Sequence, residues 1–194
     1  DEGKAMKSAK KTFKLMWNFK FLPPGRGLWM MGTNFVEERG GLALNNCAFC
    51  STKDILKEGA EPFQWTMDCL MQGVGVGFDV RGAGRLKIKK PEFTNDIFYI
   101  KDSREGWIEA LGFVINGYFF GEDIPHFNYD QIRSKGSLIK GFGGVASGPE
   151  PLKQMLHSLN NLLKPKIGDY LNSVDIMDIF NYIAKCVVAG NVRR

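Results

Sequence analysis

The sequence predicts an α/β protein. A strand–helix–strand alternation runs over 42–80, amphipathic helices recur on either side of it, and 194 residues with 44% apolar content suffice for one core. "LALNNCAFC" (42–50) has strand character, although Asn45 and Asn46 are poor strand formers and point to a polar site. Residues 61–72 carry Phe63, Met67, Leu70 and Met71 at helical spacing. "GVGVGFDV" (73–80) alternates glycine with Val and Phe, which suits a strand whose backbone is closely approached.

The flanking elements follow in order. Residues 1–24 form a helical segment, with Ala5, Ala9, Phe13, Met16, Trp17 and Phe21 at helical spacing and Lys4, Lys7, Lys10, Lys11 and Lys14 between them. Pro23-Pro24-Gly25 breaks it, and 25–33 reads as a loop into a short buried segment. Residues 81–101 are basic and mixed, an inserted loop or hairpin. Asp102-Ser-Arg-Glu105 is a capping-box pattern that opens a helix through Trp107, Leu111 and Ile115. Pro149 begins a helix to about residue 163, and Ser173 with Asp175 begins another that closes at Gly190. The opening Asp-Glu-Gly lacks a methionine, and the sequence stops at "NVRR" directly after a helix, so a piece of a larger fold is expected.

The four cysteines, Cys47, Cys50, Cys69 and Cys186, are too few and scattered for a secreted disulfide scaffold, and a cytoplasmic, reducing setting is the default. No apolar run approaches the length of a membrane span. The net charge of +5 suits a polyanion, whether nucleic acid, nucleotide or acidic surface. The glycine-rich stretch "KGFGGVASGPEPL" before a helix could cradle phosphate, with Arg133, Lys135 and Lys140 just upstream, or it could be a tight turn beside a solvated face. It is not a Walker motif, and the glycines of "GVGVGF" lie within a strand, which rules against a dinucleotide fingerprint. His126 and His157 are too far apart in sequence to complete a zinc site with CAFC, so no metal site is expected. If 44–50 is a strand, Cys47 and Cys50 point to opposite faces: one thiol meets a site and the other the packing layer. A CxxC oxidoreductase would need a helix starting at Cys47 instead. Cys69 and Cys186, on amphipathic helices, read as core.

"GRGLWMMGT", "ALNNCAFC", "GVGVGFDV", "DSREGW", "IRSKGSLIKGFGGVASGPEPL" and "VVAGNVRR" together resemble, in order and spacing, the adenosylcobalamin-dependent (class II) ribonucleotide reductases, especially the triphosphate reductases. The resemblance implies part of a ten-stranded α/β barrel, the N-terminal half, spanning 25–194 and incomplete without a complementary chain. It implies thiyl-radical reduction of ribonucleotides to 2′-deoxyribonucleotides. Cys47 would be one of two reducing cysteines; its partner and the radical cysteine would lie on a C-terminal portion outside this sequence. Adenosylcobalamin would be the cofactor of the whole enzyme and a thioredoxin-like or dithiol reductant its partner, with no direct nucleic-acid binding. Cys50 stands where many relatives carry an aliphatic residue and has no implied role. Thr33 and Asn46 are similar in placement to substrate-pocket residues. Asp54 resembles the carboxylate that binds the deoxyribose of a dNTP or ATP allosteric effector, and Arg133 and Lys140 fall with its phosphate contacts. Arg193 falls in the loop that relays effector identity. Residues 81–129 match, in shortened form, an insertion that imitates a dimer partner. The alternative is a non-catalytic regulatory chain that binds nucleotide through Asp54 and Arg133 while Cys47 is idle.

Overall fold

The computed structural model describes residues 2–138 and 145–189, so the expected closing Gly190 lies outside them. The chain divides into two units, Asp1–Asn45 and Asn46–Arg194, a boundary later than the Pro23-Pro24-Gly25 break.

In the first unit the lysine-rich amphipathic stretch forms α1 (Glu2–Trp17), none of whose residues is buried, with the Phe13 and Trp17 rings stacked at 6.0 Å. Residues expected to form a loop are instead helical. Pro24 precedes α2 (Gly25–Met30), and only Met30 of it is buried, because Leu28 and Trp29 face outward. α3 (Asn34–Arg39) and a 3-10 turn, Gly41–Leu44, complete the unit; the turn takes up the first part of the stretch that reads as one strand.

The second unit begins with β1 (Cys47–Cys50), then α4 (Ile55–Glu58), α5 (Glu61–Met71) and β2 (Gly75–Phe78). β1 and β2 pair in parallel, so the expected strand–helix–strand unit is present, with α5 as its crossover. A second such unit replaces the expected hairpin. β3 (Glu92–Tyr99) pairs in parallel with β4 (Asp123–Asn128) across α6 (Arg104–Phe120), a connection that only a helix-length crossover permits. α6 is capped by Ser103, whose hydroxyl accepts the Gly106 N–H at 3.1 Å, one residue later than Asp102; it closes at left-handed Gly121.

α7 (Glu150–Leu163) and α8 (Ser173–Ala184) follow. The α8 cap is Asn172, one residue before Ser173; its side chain accepts the Val174 and Asp175 N–H groups while Asp175 reaches back to the Asn172 N–H. A π-helical turn, Lys185–Ala189, continues α8.

The four longest helices of this unit close a ring: α5 packs on α6 and α8, and α7 on the same two. Their apolar faces make one core with Phe180 at its centre, 4.7 Å from the Phe63 ring and stacked on Phe78 at 4.1 Å, so α8, α5 and β2 meet there. Polar links between helices fix the register: Tyr118 donates to Asn160 at 3.0 Å, and Gln64 to the Ile108 carbonyl at 3.0 Å. Gly112 leaves room for the Gln64 amide, into which a Cβ would run.

Candidate functional site

β1 alternates in burial as a half-covered strand should. Cys50 turns toward α5, 8% exposed, its Sγ donating to the Pro62 carbonyl at 3.4 Å, while Cys47 and Phe49 face the other way and are exposed. The expected opposition of the two thiols is therefore seen. On the Cys47 face the neighbouring strand carries no side chains, because Cys47 pairs with Gly75 and Phe49 with Gly77. The Phe49 ring lies beside Gly77, 3.7 Å from where its Cβ would be, and the Gly75 N–H donates to the Asn46 carbonyl at 3.0 Å. The thiol thus stands over a bare backbone floor, which a polar ligand can approach closely.

The other thiols are chemically quiet. Burial pushes the Cys50 thiol up from its ordinary value, and burial with the Asp68 charge pushes Cys69 up to about 12. Cys69 and Cys186 are buried, as their helical positions predict. Under native conditions a charged thiol reagent is expected to label one cysteine quickly, mapping to Cys47, with the other three reacting only after denaturation. Rapid native labelling of Cys50 or Cys69 would contradict this arrangement.

The remaining sequence-predicted residues are distributed as follows. Asn46 is exposed beside Cys47. Thr33 belongs to the first unit, at the start of α3, half-buried and donating to the Met30 carbonyl at 2.7 Å. Asp54 stands at the N-cap position of α4 but makes no side-chain cap bond, and it is exposed. The Arg133 guanidinium pairs with Asp102 and donates to the Leu138 carbonyl at 3.3 Å, so part of its donor fork is occupied within the protein. Lys140 and Arg193 lie outside the described residues, as does the centre of the glycine-rich stretch.

Sequence reasoning missed Asp79. It lies at the carboxyl end of β2, where it accepts the Thr52 N–H at 2.9 Å, the Thr52 hydroxyl at 3.1 Å and the Arg81 Nε at 2.6 Å. The available signal was an acid at the carboxyl edge of a parallel strand, where open α/β sheets place their sites. Burial raises its carboxyl, but bonds from the Thr52 N–H, the Arg81 side chain, the Ser51 hydroxyl and the Arg81 N–H outweigh this and hold it well below the usual carboxylate range. A depressed folded value contributes stability that is whole above the unfolded value, at about pH 4, and is lost as pH falls through the folded value. Melting temperature measured against pH is expected to fall more steeply below about pH 4 in the parent than in Asp79→Asn, which lacks this titration. Parallel curves would show that the network contributes nothing to acid stability.

An exposed strand thiol over a glycine floor, carried on a parallel strand–helix–strand unit backed by a helical ring, defines a thiol-bearing α/β unit. The comparisons with known proteins agree. The family model described as "B12-dependent ribonucleotide reductase, insertion domain" matches residues 82–163, and the "Ribonucleotide reductase alpha domain" model matches 1–33. A Dictyostelium discoideum protein named "Probable adenosylcobalamin-dependent ribonucleoside-triphosphate reductase" is 44% identical over 100% of this chain and 28% of its own length. The Euglena gracilis adenosylcobalamin-dependent ribonucleoside-triphosphate reductase is 42% identical over 100% of this chain and 27% of its own. A crystal structure of a B12-dependent (class II) ribonucleotide reductase superposes with a TM-score of 0.78 at 29% identity, covering 95% of this chain and 33% of that one. The chain belongs to the class II, B12-dependent ribonucleotide reductase family, and its fold is part of that barrel. It spans under a third of the length of these two relatives.

Among the described residues no three His, Cys, Asp or Glu side chains converge. No described helix is long and apolar enough to cross a membrane.

Proposed function

We propose that this chain is the portion of a class II ribonucleotide reductase that supplies one reducing thiol, Cys47, and part of an allosteric effector site, in the conversion of ribonucleoside triphosphates to deoxyribonucleotides in a reducing, cytoplasmic setting. The observation that carries the reading is the exposure of Cys47 over the Gly75 floor while the other three thiols are buried. In the net reduction the ribose C2′–O bond breaks and the oxygen leaves as water. Cys47 and a second cysteine from the remainder of the enzyme give up two electrons and two protons and join as a disulfide, which an external dithiol then reduces. The radical cysteine belongs to that remainder, and adenosylcobalamin is the cofactor of the whole enzyme.

Asn46 and Thr33 serve substrate; Asp54, Arg133, Lys140 and Arg193 serve the effector. Support for the effector half comes from the exposed Asp54 carboxylate, which makes no side-chain cap bond, and from the closed ring of α5, α6, α7 and α8. Two of those helices lie in the stretch matched to the insertion domain, so the bundle is completed within one chain.

The test is ribonucleoside-triphosphate reduction with adenosylcobalamin and a dithiol, by this chain alone and with the polypeptide that carries the rest of the fold. Deoxynucleotide is expected only in the mixture. No product in the mixture, with deoxynucleotide still bound by this chain, would return the regulatory alternative.

A further inference from the structure

At the carboxyl ends of β1 and β2 the segments 51–53 and 79–85 are stapled together. Thr52, fully buried, is the centre: its N–H and hydroxyl donate to Asp79, and its hydroxyl oxygen accepts the Gly82 N–H at 3.0 Å. Arg81 bridges Asp79 to the Ser51 hydroxyl at 3.1 Å, and Arg85 donates to the Lys53 carbonyl at 3.1 Å. Gly82 is packed so closely that a Cβ would come within 2.6 Å of the Thr52 carbonyl oxygen. That same carbonyl accepts the Ile55 N–H at 3.1 Å, and Ile55 is fully buried. The turn 52–55 is therefore held at both ends, and Lys53 and Asp54 lie between the anchors. α4 has four residues and cannot fix its own N-cap, so the staple is what holds the backbone from which the Asp54 side chain projects.

We propose that Thr52 and Asp79 are positioning residues for effector binding: they hold the turn that presents Asp54 to the sugar of a deoxynucleotide. This rests on the reading of Asp54 as an effector ligand. A carboxylate that grips a sugar hydroxyl must be held within about half an ångström of its bonding position. A hydroxyl shared among the Asp79 carboxylate, the Asp79 carbonyl and the Gly82 N–H gives the turn that constraint.

The test is the affinity of the chain, together with its complementary polypeptide, for each of the four deoxynucleoside triphosphates, by equilibrium dialysis well below the melting temperature. Thr52→Val and Asp79→Asn are expected to weaken binding of the preferred nucleotide about tenfold, the scale of a lost charge-assisted hydrogen bond, as is Asp54→Asn. Thr52→Ser, which keeps the hydroxyl, stays within about twofold of the parent, and that rescue distinguishes positioning from a general loss of stability. If Asp54→Asn weakens binding but Thr52→Val and Asp79→Asn do not, the positioning role is wrong and the effector reading stands. If Asp54→Asn binds as the parent does, the effector reading falls and the proposal with it.

Discussion

Cys47→Ser is expected to lower multiple-turnover deoxynucleotide formation by the assembled reductase about a thousandfold or more, because a hydroxyl cannot supply half of a disulfide. The fold should not notice: Cys47 is exposed, and among the described residues its side chain makes no hydrogen bond, so melting should shift by no more than a surface substitution does. Cys50→Ser gives the opposite pattern. Its buried thiol packs against α5 at the Pro62 carbonyl, so exchange costs stability while turnover persists. The pair separates chemistry from packing at two thiols in one four-residue strand. Equal loss of turnover in both variants would show that strand geometry, not the Cys47 thiol, is what the reaction needs.

Phe180→Ala is expected to destabilise the chain by about 3–5 kcal/mol, the range for an aromatic removed from a closed core. Phe180 touches the Phe63 ring on α5 and the Phe78 ring at the end of β2, and neither neighbour can move in to fill the space without leaving its own contacts. Since Phe78 is the last residue of the strand that lays Gly75 beside Cys47, the cavity should also loosen the floor under the thiol. Urea unfolding measures the first effect, and faster native alkylation of Cys47 the second. A loss below about 1 kcal/mol would mean that α8 is not a structural part of this unit.

Much of this arrangement is legible in the sequence because of simple periodicities. The helices over 61–71 and 104–120 show in the spacing of Phe63 with Met67 and of Trp107 with Leu111, those over 150–163 and 173–184 in the start signals at Pro149 and at Ser173 with Asp175, and strand parity alone separates Cys47 from Cys50. Cap positions shift by one where adjacent residues can each cap: Asp102 and Ser103 both can, and the extended backbone of Ser103 decides. The partner of β3 is not legible, because Glu92, Asn95 and Asp96 break its alternation and its pairing spans a whole helix. Nor is the closure of four helices into a ring, or the Thr52–Asp79 staple, which joins residues 27 positions apart. Arg133 shows the limit for charged groups: its type suits a phosphate, but only the fold reveals that Asp102 already holds part of its guanidinium.

Which thiol is oxidised decides the role of Cys47. After turnover without external reductant, the assembled reductase would be alkylated, digested and mapped by mass spectrometry for its new disulfide. A bridge from Cys47 to a cysteine of the complementary polypeptide, with Cys50, Cys69 and Cys186 recovered as free thiols, is the result expected of an exposed thiol over a glycine floor and three buried ones. A bridge through Cys50, or a Cys47 still free after product has formed, would contradict it.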